Sequence, residues 1–278
     1  MNKVKTMKKL FLVPLFFLGC NNYQITRLDT TKNVQLLNKY GVNEDSLIKV
    51  KDGYIFLTSA VNGIYIYKIS KNYNLIYKKE LPILIDIIKS SIKNNTLYIL
   101  GYDQKKQKPI LIKYDLISQK FSKEFYGEKY DVAKDFTFKN NQIFITATHY
   151  SQDNPKIVIY SKKNKLTLNS PYKEDAQYIL PFKKGLLIIG TVYKDSYDLL
   201  IAYKTLDNKT VWAKTIDLGM DEKAKKVKIK NDKIIITVIS SDEMGASKEV
   251  TFTLNPNGNI IKVKKDSEIK PLPLKMRT

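Results

Sequence analysis

The hydrophobic positions of this chain are gathered into short runs that recur at a nearly constant interval. Five polar pairs, 42 to 47 residues apart, have the residue types of two-residue hairpin turns: Asp52-Gly53, Asn94-Asn95, Asn140-Asn141, Lys184-Gly185 and Asn231-Asp232. Each pair is followed, at once or after one residue, by an apolar run, at 54–57, 97–100, 143–145, 186–189 and 234–236. Short apolar runs bounded by turn residues predict strands that are buried on both faces.

A second apolar strand follows each of these runs. These strands close 43 to 51 residues apart, at Tyr67, Tyr114, Tyr160, Tyr203 and Leu254. A polar turn and a last strand, such as Val211–Thr215, complete the unit. Four strands repeated every 40 to 50 residues are typical of a β-propeller blade, and no amphipathic helical pattern of useful length competes.

The repeats predict an all-β fold, a β-propeller of four-stranded antiparallel blades, as one domain over residues 20–278. The predicted units are 23–41 (a half blade), 44–82, 83–127, 128–173, 174–219 and 220–266. We expect about six blades with one incomplete; the alternative is five blades and an extra hairpin. The tail from Ser267 could complete the half blade, and Pro271 and Pro273 suit an edge strand or an extended cover.

One stretch carries a family resemblance. Gly185-Leu186-Leu187-Ile188-Ile189-Gly190, Tyr197–Ile201, Leu206-Asp207-Asn208 and Trp212–Thr215 resemble the consensus of bacterial propeller repeats. The resemblance implies the propeller fold. It says little about activity, because members of that family are mostly uncharacterised exported or surface proteins.

The first twenty residues have the parts of an export signal. Lys3, Lys5, Lys8 and Lys9 precede an apolar run from Leu10 to Leu18. The run is about half the ~20 residues that a transmembrane helix needs. The alternatives are an ordinary signal followed by a stray thiol, or an uncleaved anchor.

Phe17-Leu18-Gly19-Cys20 resembles the lipobox of bacterial lipoproteins. The resemblance implies cleavage between Gly19 and Cys20, so that 1–19 is a signal peptide, and lipid on Cys20, including an amide-linked acyl chain such as palmitate. Cys20 is the sole cysteine of the chain, which favours lipidation over a disulfide. Several acyl chains together give stable anchoring. Asn21 follows the cysteine, which favours the outer membrane if the organism has one.

The formal net charge is +21, and 48 of the residues are Lys or Arg. Such a charge suits anionic lipid, acidic polysaccharide or nucleic acid. We expect no nucleic acid, because Arg27 and Arg277 are the only arginines and arginine is the usual reader of bases. A lysine-rich genome with lysines on solvated faces is the simpler explanation. From Lys226 to Ile236, lysines alternate with apolar residues as on one exposed side of a strand.

The search for catalytic chemistry is mostly negative. His149 is the only histidine, at the end of an inner strand, so any Ser-His-Asp triad or zinc site would have to use it. Acids recur where each unit opens: Glu44, Asp45, Asp86, Asp131, Asp135, Glu174, Asp175, Asp221 and Glu222. We expect them to cap turns or pair with lysines, although paired carboxylates for glycoside cleavage remain an alternative. We therefore predict no catalytic residue, no metal and no cofactor.

These observations lead to two functional hypotheses. The first is a monomeric propeller, anchored through Cys20 on the cell envelope, that binds or scaffolds a protein partner. The second is an envelope carbohydrate-active enzyme, or a protein that binds carbohydrate or an anionic polymer. Two acids gathered with His149 or several tyrosines in a concave face would favour the enzyme.

Overall fold

The computed structural model describes residues 47–150, 154–168 and 170–269, with side chains up to residue 265. Across these ranges the secondary structure is entirely β, in twenty strands. They form five four-stranded antiparallel sheets, and in each sheet the order in space is the order in sequence. This meander is the architecture of a propeller blade, so the all-β propeller prediction is confirmed.

The blades contain four strands each and are numbered in chain order. Blade 1 has β1 (Ile48–Val50), β2 (Gly53–Ala60), β3 (Gly63–Ser70) and β4 (Leu75–Leu81). Blade 2 has β5 (Ile85–Lys93), β6 (Thr96–Asp103), β7 (Lys108–Asp115) and β8 (Phe121–Phe125). Blade 3 has β9 (Val132–Lys139), β10 (Gln142–His149), β11 (Lys156–Tyr160) and β12 (Lys165–Thr167). Blade 4 has β13 (Lys173–Phe182), β14 (Gly185–Tyr193), β15 (Tyr197–Thr205) and β16 (Thr210–Ile216). Blade 5 has β17 (Asp221–Lys230), β18 (Lys233–Ser241), β19 (Ser247–Leu254) and β20 (Ile260–Ile269).

The half blade predicted at 23–41 and the tail after Ile269 lie outside the described residues, as do Gly19 and Cys20. The described residues form five complete blades. Whether a sixth blade exists depends on residues 23–41 and on the tail after Ile269, which lie outside the described ranges.

The core is a series of apolar layers between neighbouring blades. Ile55 and Ile66 of blade 1 pack with Leu97 and Ile112 of blade 2. Equivalent layers join blade 2 to blade 3, blade 3 to blade 4 and blade 4 to blade 5. The two middle strands of blade 4 are buried on both faces, and this is why β14 reads as a continuous apolar run instead of an alternating one.

Each blade has a turn face and a loop face. The turn face carries the hairpins after the first and third strands, and the loop face carries the connections between blades. Three predicted hairpin pairs form turns with positive φ at both residues: Asn94-Asn95, Asn140-Asn141 and Asn231-Asp232.

The other two predicted hairpin pairs are wrong by one position. The turns are Lys51-Asp52 and Lys183-Lys184, and the glycines that follow open β2 and β14. Glycine is needed there for close approach. A Cβ at Gly53 would lie 1.9 Å from the Ile69 carbonyl oxygen, and one at Gly185 would lie 2.1 Å from that of Lys204.

The first strand of blades 2 to 5 carries a β-bulge at the same place. The extra residues are Ile88, Lys134, Gln177 and Lys225. Polar side chains beside the bulges join neighbouring blades. Lys134 lies 3.1 Å from Asp175, and Gln177 accepts a hydrogen bond from the Ala224 amide at 2.9 Å.

Asp135 makes the most buried of these links. Its carboxylate pairs with Lys89 of blade 2 and accepts the amide of Ile179 of blade 4 at 2.9 Å. It also accepts the amide of Phe136 at 2.8 Å. Burial raises the pKa of the Asp135 carboxyl, while Lys89 and the two amides act in the opposite direction. One side chain thus joins three blades.

Candidate functional site

A cleft of about 860 Å³ opens on the turn face between blades 1 and 2, and we call it the turn cleft. Its walls come from the β1–β2 and β3–β4 turns and from the facing turns of blade 2. The floor is apolar, formed by Val50, Ile55, Ile92 and Leu116, and the exposed Ile117 adds an apolar edge. Its polar rim consists of Lys49, Lys51, Asp52, Lys68, Ser70, Lys71, Asn72 and Asn95.

The rim of the turn cleft is cationic. Its one carboxylate, Asp52, lies 2.7 Å from the Lys68 ammonium, which lowers the Asp52 pKa. Lys49, Lys51 and Lys71 are exposed and have no acid within ion-pair distance among the described residues. An apolar floor with three uncompensated cations above it suits a ligand that carries both apolar and acidic groups.

A second polar group lies on the loop face of blade 3, around the single histidine. Its members, the His149 cluster, are Glu128, Asp131, His149, Tyr160 and Lys165. The carboxylate of Asp131 is fully buried and 2.6 Å from His149 Nδ1. It also accepts the Tyr160 hydroxyl at 2.5 Å and the Glu128 amide at 2.6 Å.

The loop between β8 and β9 makes this cluster possible, because it folds over β10 to β12. Gly127 of that loop has φ of +68°, and a Cβ there would lie 2.4 Å from an Asp131 carboxylate oxygen. Burial and the hydrogen bond to Asp131 together raise the pKa of the Tyr160 phenol. Tyr160 therefore stays a neutral donor to the carboxylate.

The chemistry of the His149 cluster is that of an oriented imidazole. Asp131 fixes the ring, while Nε2 points toward Glu128, whose Oε2 is 3.9 Å away. Lys165 Nζ lies 2.6 Å from the other Glu128 oxygen and lowers the Glu128 pKa. A glycosidase needs a carboxylic acid whose pKa is raised, and Glu128 is shifted the other way.

Three of the acids that open the repeats occupy one equivalent position. Asp131, Glu174 and Glu222 each precede the bulge by three residues, and each is at most 1% exposed. The Glu174 carboxylate accepts the Ile157 amide at 2.8 Å, and Glu222 accepts the Ser240 hydroxyl at 2.9 Å. They are interior acceptors rather than turn caps.

Two other acids behave as the sequence predicts. Asp135 and Asp175 pair with Lys89 and Lys134 across blade boundaries. Glu44 and Asp45 lie outside the described residues. Glu128 and Lys165 carry no signal in the sequence, because a loop that folds over a neighbouring blade brings Glu128 to His149 and Lys165.

The remaining candidates concern the surface. Lys226, Lys228 and Lys230 of β17 are exposed while Val227 is buried, as the alternation predicts. No helix in the described ranges has the length and apolarity needed to cross a bilayer. Lipid on Cys20 stays a prediction.

No protein-family model matches the sequence, and no curated protein matches it either. Solved structures with a similar chain path are dihydro-heme d1 dehydrogenase NirN, at 9% identity and a TM-score of 0.48, and TolB from Acinetobacter baumannii, at 12% and 0.43. The matches cover 76% and 74% of this chain, and 44% and 61% of those chains. A bifunctional GH43-CE protein from Bacteroides eggerthii has 10% identity and a TM-score of 0.46, over 81% of this chain and 35% of its own. This chain thus spans less than two thirds of the length of these proteins, and it is a propeller by its own five blades.

Proposed function

We propose that this protein is a binding module of the cell envelope, anchored through lipid on Cys20, that holds an acidic segment of a partner protein in the turn cleft. The observation that supports this proposal is the turn cleft itself, with an apolar floor below Lys49, Lys51 and Lys71. A protein segment with acidic and apolar side chains matches both parts of that surface, whereas a polysaccharide matches only the charge.

The blades suit such a role because they are rigid. An apolar layer joins blade 1 to blade 2, and a buried ion pair joins blade 2 to blade 3, so that the cleft walls are held in place without a ligand. Preorganised walls reduce the entropy that is lost on binding.

The binding test is a crosslinking capture of the membrane-anchored protein from its native host. Reversing the charge at Lys49 and Lys71 should abolish capture of the partner. The matched control reverses Lys226 and Lys228, exposed lysines on the first strand of blade 5, and should leave capture intact. Equal loss in both variants, or release of the partner by acidic polysaccharide alone, would contradict the proposed site. Capture should also weaken as salt screens the rim.

The anchor has its own test. Mass spectrometry of the mature N-terminus should find an acylated Cys20, and Cys20→Ala should leave an unprocessed or a released protein. An unmodified, cleaved N-terminus at any other residue would remove lipid anchoring from the proposal and leave the turn cleft untouched.

A second candidate function is hydrolysis of an envelope polymer at the His149 cluster. The observation that favours it is the pairing of His149 with the buried Asp131, an arrangement that orients a general base. A hydrolase would lose its activity in His149→Gln while keeping the partner capture described above. The absence of any difference in hydrolysis of envelope polymers, ester-linked ones included, between His149→Gln and the parent protein would exclude it.

A further inference from the structure

Three carboxylates meet on the loop face where blade 4 joins blade 5. They come from the start of β15, from the β16–β17 connection and from β17: Asp198, Asp217 and Glu222. One oxygen of each lies within 4.8 Å of one oxygen of each of the others. Asp198 and Glu222 are 3% and 1% exposed, while Asp217 faces solvent. This acidic cluster is separate from both the turn cleft and the His149 cluster.

The protein compensates these charges only in part. Lys194 lies 3.0 Å from Asp198, and the Ser196 hydroxyl donates to the same carboxylate at 3.1 Å. Asp217 accepts the amide of Gly219 at 2.7 Å. Among the described residues, Lys194 is the one cation paired with the cluster. The nearby Lys248 instead donates to the Leu218 carbonyl.

Glu222 provides a second and independent observation. Its Oε1 accepts the Ser240 hydroxyl, but no donor among the described residues meets hydrogen-bond geometry at its buried Oε2. An unpaired carboxylate oxygen in the interior is costly, and it needs a donor or a cation.

The equivalent positions of the other blades show what is distinctive here. Asp131 in blade 3 is satisfied by a histidine, a tyrosine and a backbone amide. Glu174 in blade 4 is as buried as Glu222, and its Oε1 also lacks a hydrogen-bond partner, yet it belongs to no cluster of three acids within the described residues. The unpaired oxygen and the acidic cluster occur together only at Glu222 among these positions. In blade 5 a serine stands where blade 3 has His149, and two further acids face the same spot.

We propose that Asp198, Asp217 and Glu222 bind a divalent cation, with calcium the best fit. Carboxylates are the hard ligands that calcium prefers, and calcium accepts oxygens at 2.3–2.6 Å in flexible geometry. Two oxygens bound to one such ion are at most about 4.6–5.2 Å apart, and the three carboxylates are gathered within that limit. The half-exposed Lys194 moves into solvent when the ion enters. The bound ion joins the last strands of blade 4 to the first strand of blade 5.

The test uses the purified full chain in detergent with two probes, Tb³⁺ and Ca²⁺. Tyr197 neighbours Asp198 in sequence, and its ring lies 5.0 Å from that of Tyr193, so both can sensitise terbium emission. We expect sensitised emission that Ca²⁺ displaces, and a Tm that rises by about 5–10 °C at a hundredfold excess over Kd. Glu222→Gln should weaken terbium binding at least tenfold, whereas the matched Glu174→Gln should leave it unchanged.

The stability of Glu222→Gln gives the sharper result. Without metal the variant should melt above the parent, because it loses a buried charge that repels Asp217. With calcium the order should reverse, since only the parent gains from the ion. Asp217→Asn, at an exposed position, provides the same comparison if Glu222→Gln fails to fold. Equal terbium emission in Glu222→Gln and Glu174→Gln, or no change of Tm up to about 10 mM Ca²⁺, overturns the proposal.

Discussion

The link between Asp135 and Lys89 allows a quantitative test of how the blades are held together. Asp135→Ala would leave the Lys89 ammonium without its counter-charge and would strand the amides of Ile179 and Phe136. Removing one partner of a buried pair costs about 3–5 kcal/mol. Leaving a buried amide without an acceptor costs about 1–3 kcal/mol, and this cost is already included in the 3–5 kcal/mol for the broken pair. We expect a total near 4 kcal/mol, because the Lys89 side chain is 26% exposed and can still reach water.

The assay is equilibrium unfolding in urea, followed by the fluorescence of the single Trp212 and by circular dichroism. In thermal unfolding followed by the same signals, a loss of 4 kcal/mol at about 2–4 °C per kcal/mol should lower the Tm by roughly 8–16 °C. Asp52→Asn is the control, since its pair with Lys68 is exposed and is worth about 1 kcal/mol or less.

A double variant separates the charge from the hydrogen bonds. Asp135→Asn with Lys89→Met removes both charges and keeps an oxygen for the Ile179 amide. It should recover most of the loss, because a buried ion pair contributes little net stability over neutral partners. A loss below about 1 kcal/mol in Asp135→Ala, or a double variant no more stable than the single one, would refute this account of the link.

Three further predictions follow from the blades. Gly185→Ala should cost roughly 3 kcal/mol in urea unfolding, because its Cβ would meet a backbone carbonyl at 2.1 Å, whereas Gly245→Ala, with open space and φ of +84°, should cost about 1 kcal/mol. Burial raises the pKa of Glu174, so the folded protein holds that proton more tightly than the unfolded chain, and stability falls as pH rises from about 4.5 toward the folded pKa. Glu174→Gln should thus be more stable than the parent at pH 7 and equal to it below about pH 4, and a constant difference across this range would contradict the assignment. Asp131→Ala should destabilise by about 3 kcal/mol and broaden the NMR signals of His149, while unchanged imidazole signals would show that Asp131 does not orient the ring.

The sequence was sufficient to predict the blades because their determinants are local. Turn pairs such as Asn140-Asn141 act within a few residues, and an apolar run such as that of β14 is readable wherever both faces of a strand are buried. The sequence pattern places the turns at Gly53 and Gly185 one residue too late, and the reason is not local. Each glycine is required by the close approach of the third strand of its blade, and spacing along the chain does not reveal that approach.

The sites depended on tertiary structure throughout. Asp131, Glu174 and Glu222 look alike in sequence, as acids that open a repeat. In the structure, however, Asp131 is saturated by hydrogen-bond donors, Glu174 belongs to no cluster of acids within the described residues, and Glu222 faces two further carboxylates. Part of the difference arises from residues 18 positions away, Ser240 and His149, which the antiparallel register places opposite Glu222 and Asp131. The sequence by itself determined the repeat, the strands and the predicted anchor, because hydrophobic period and turn chemistry act locally. Only the packing of blade against blade decided which charges meet, because that depends on register, on the bulges and on loops that fold over a neighbouring blade.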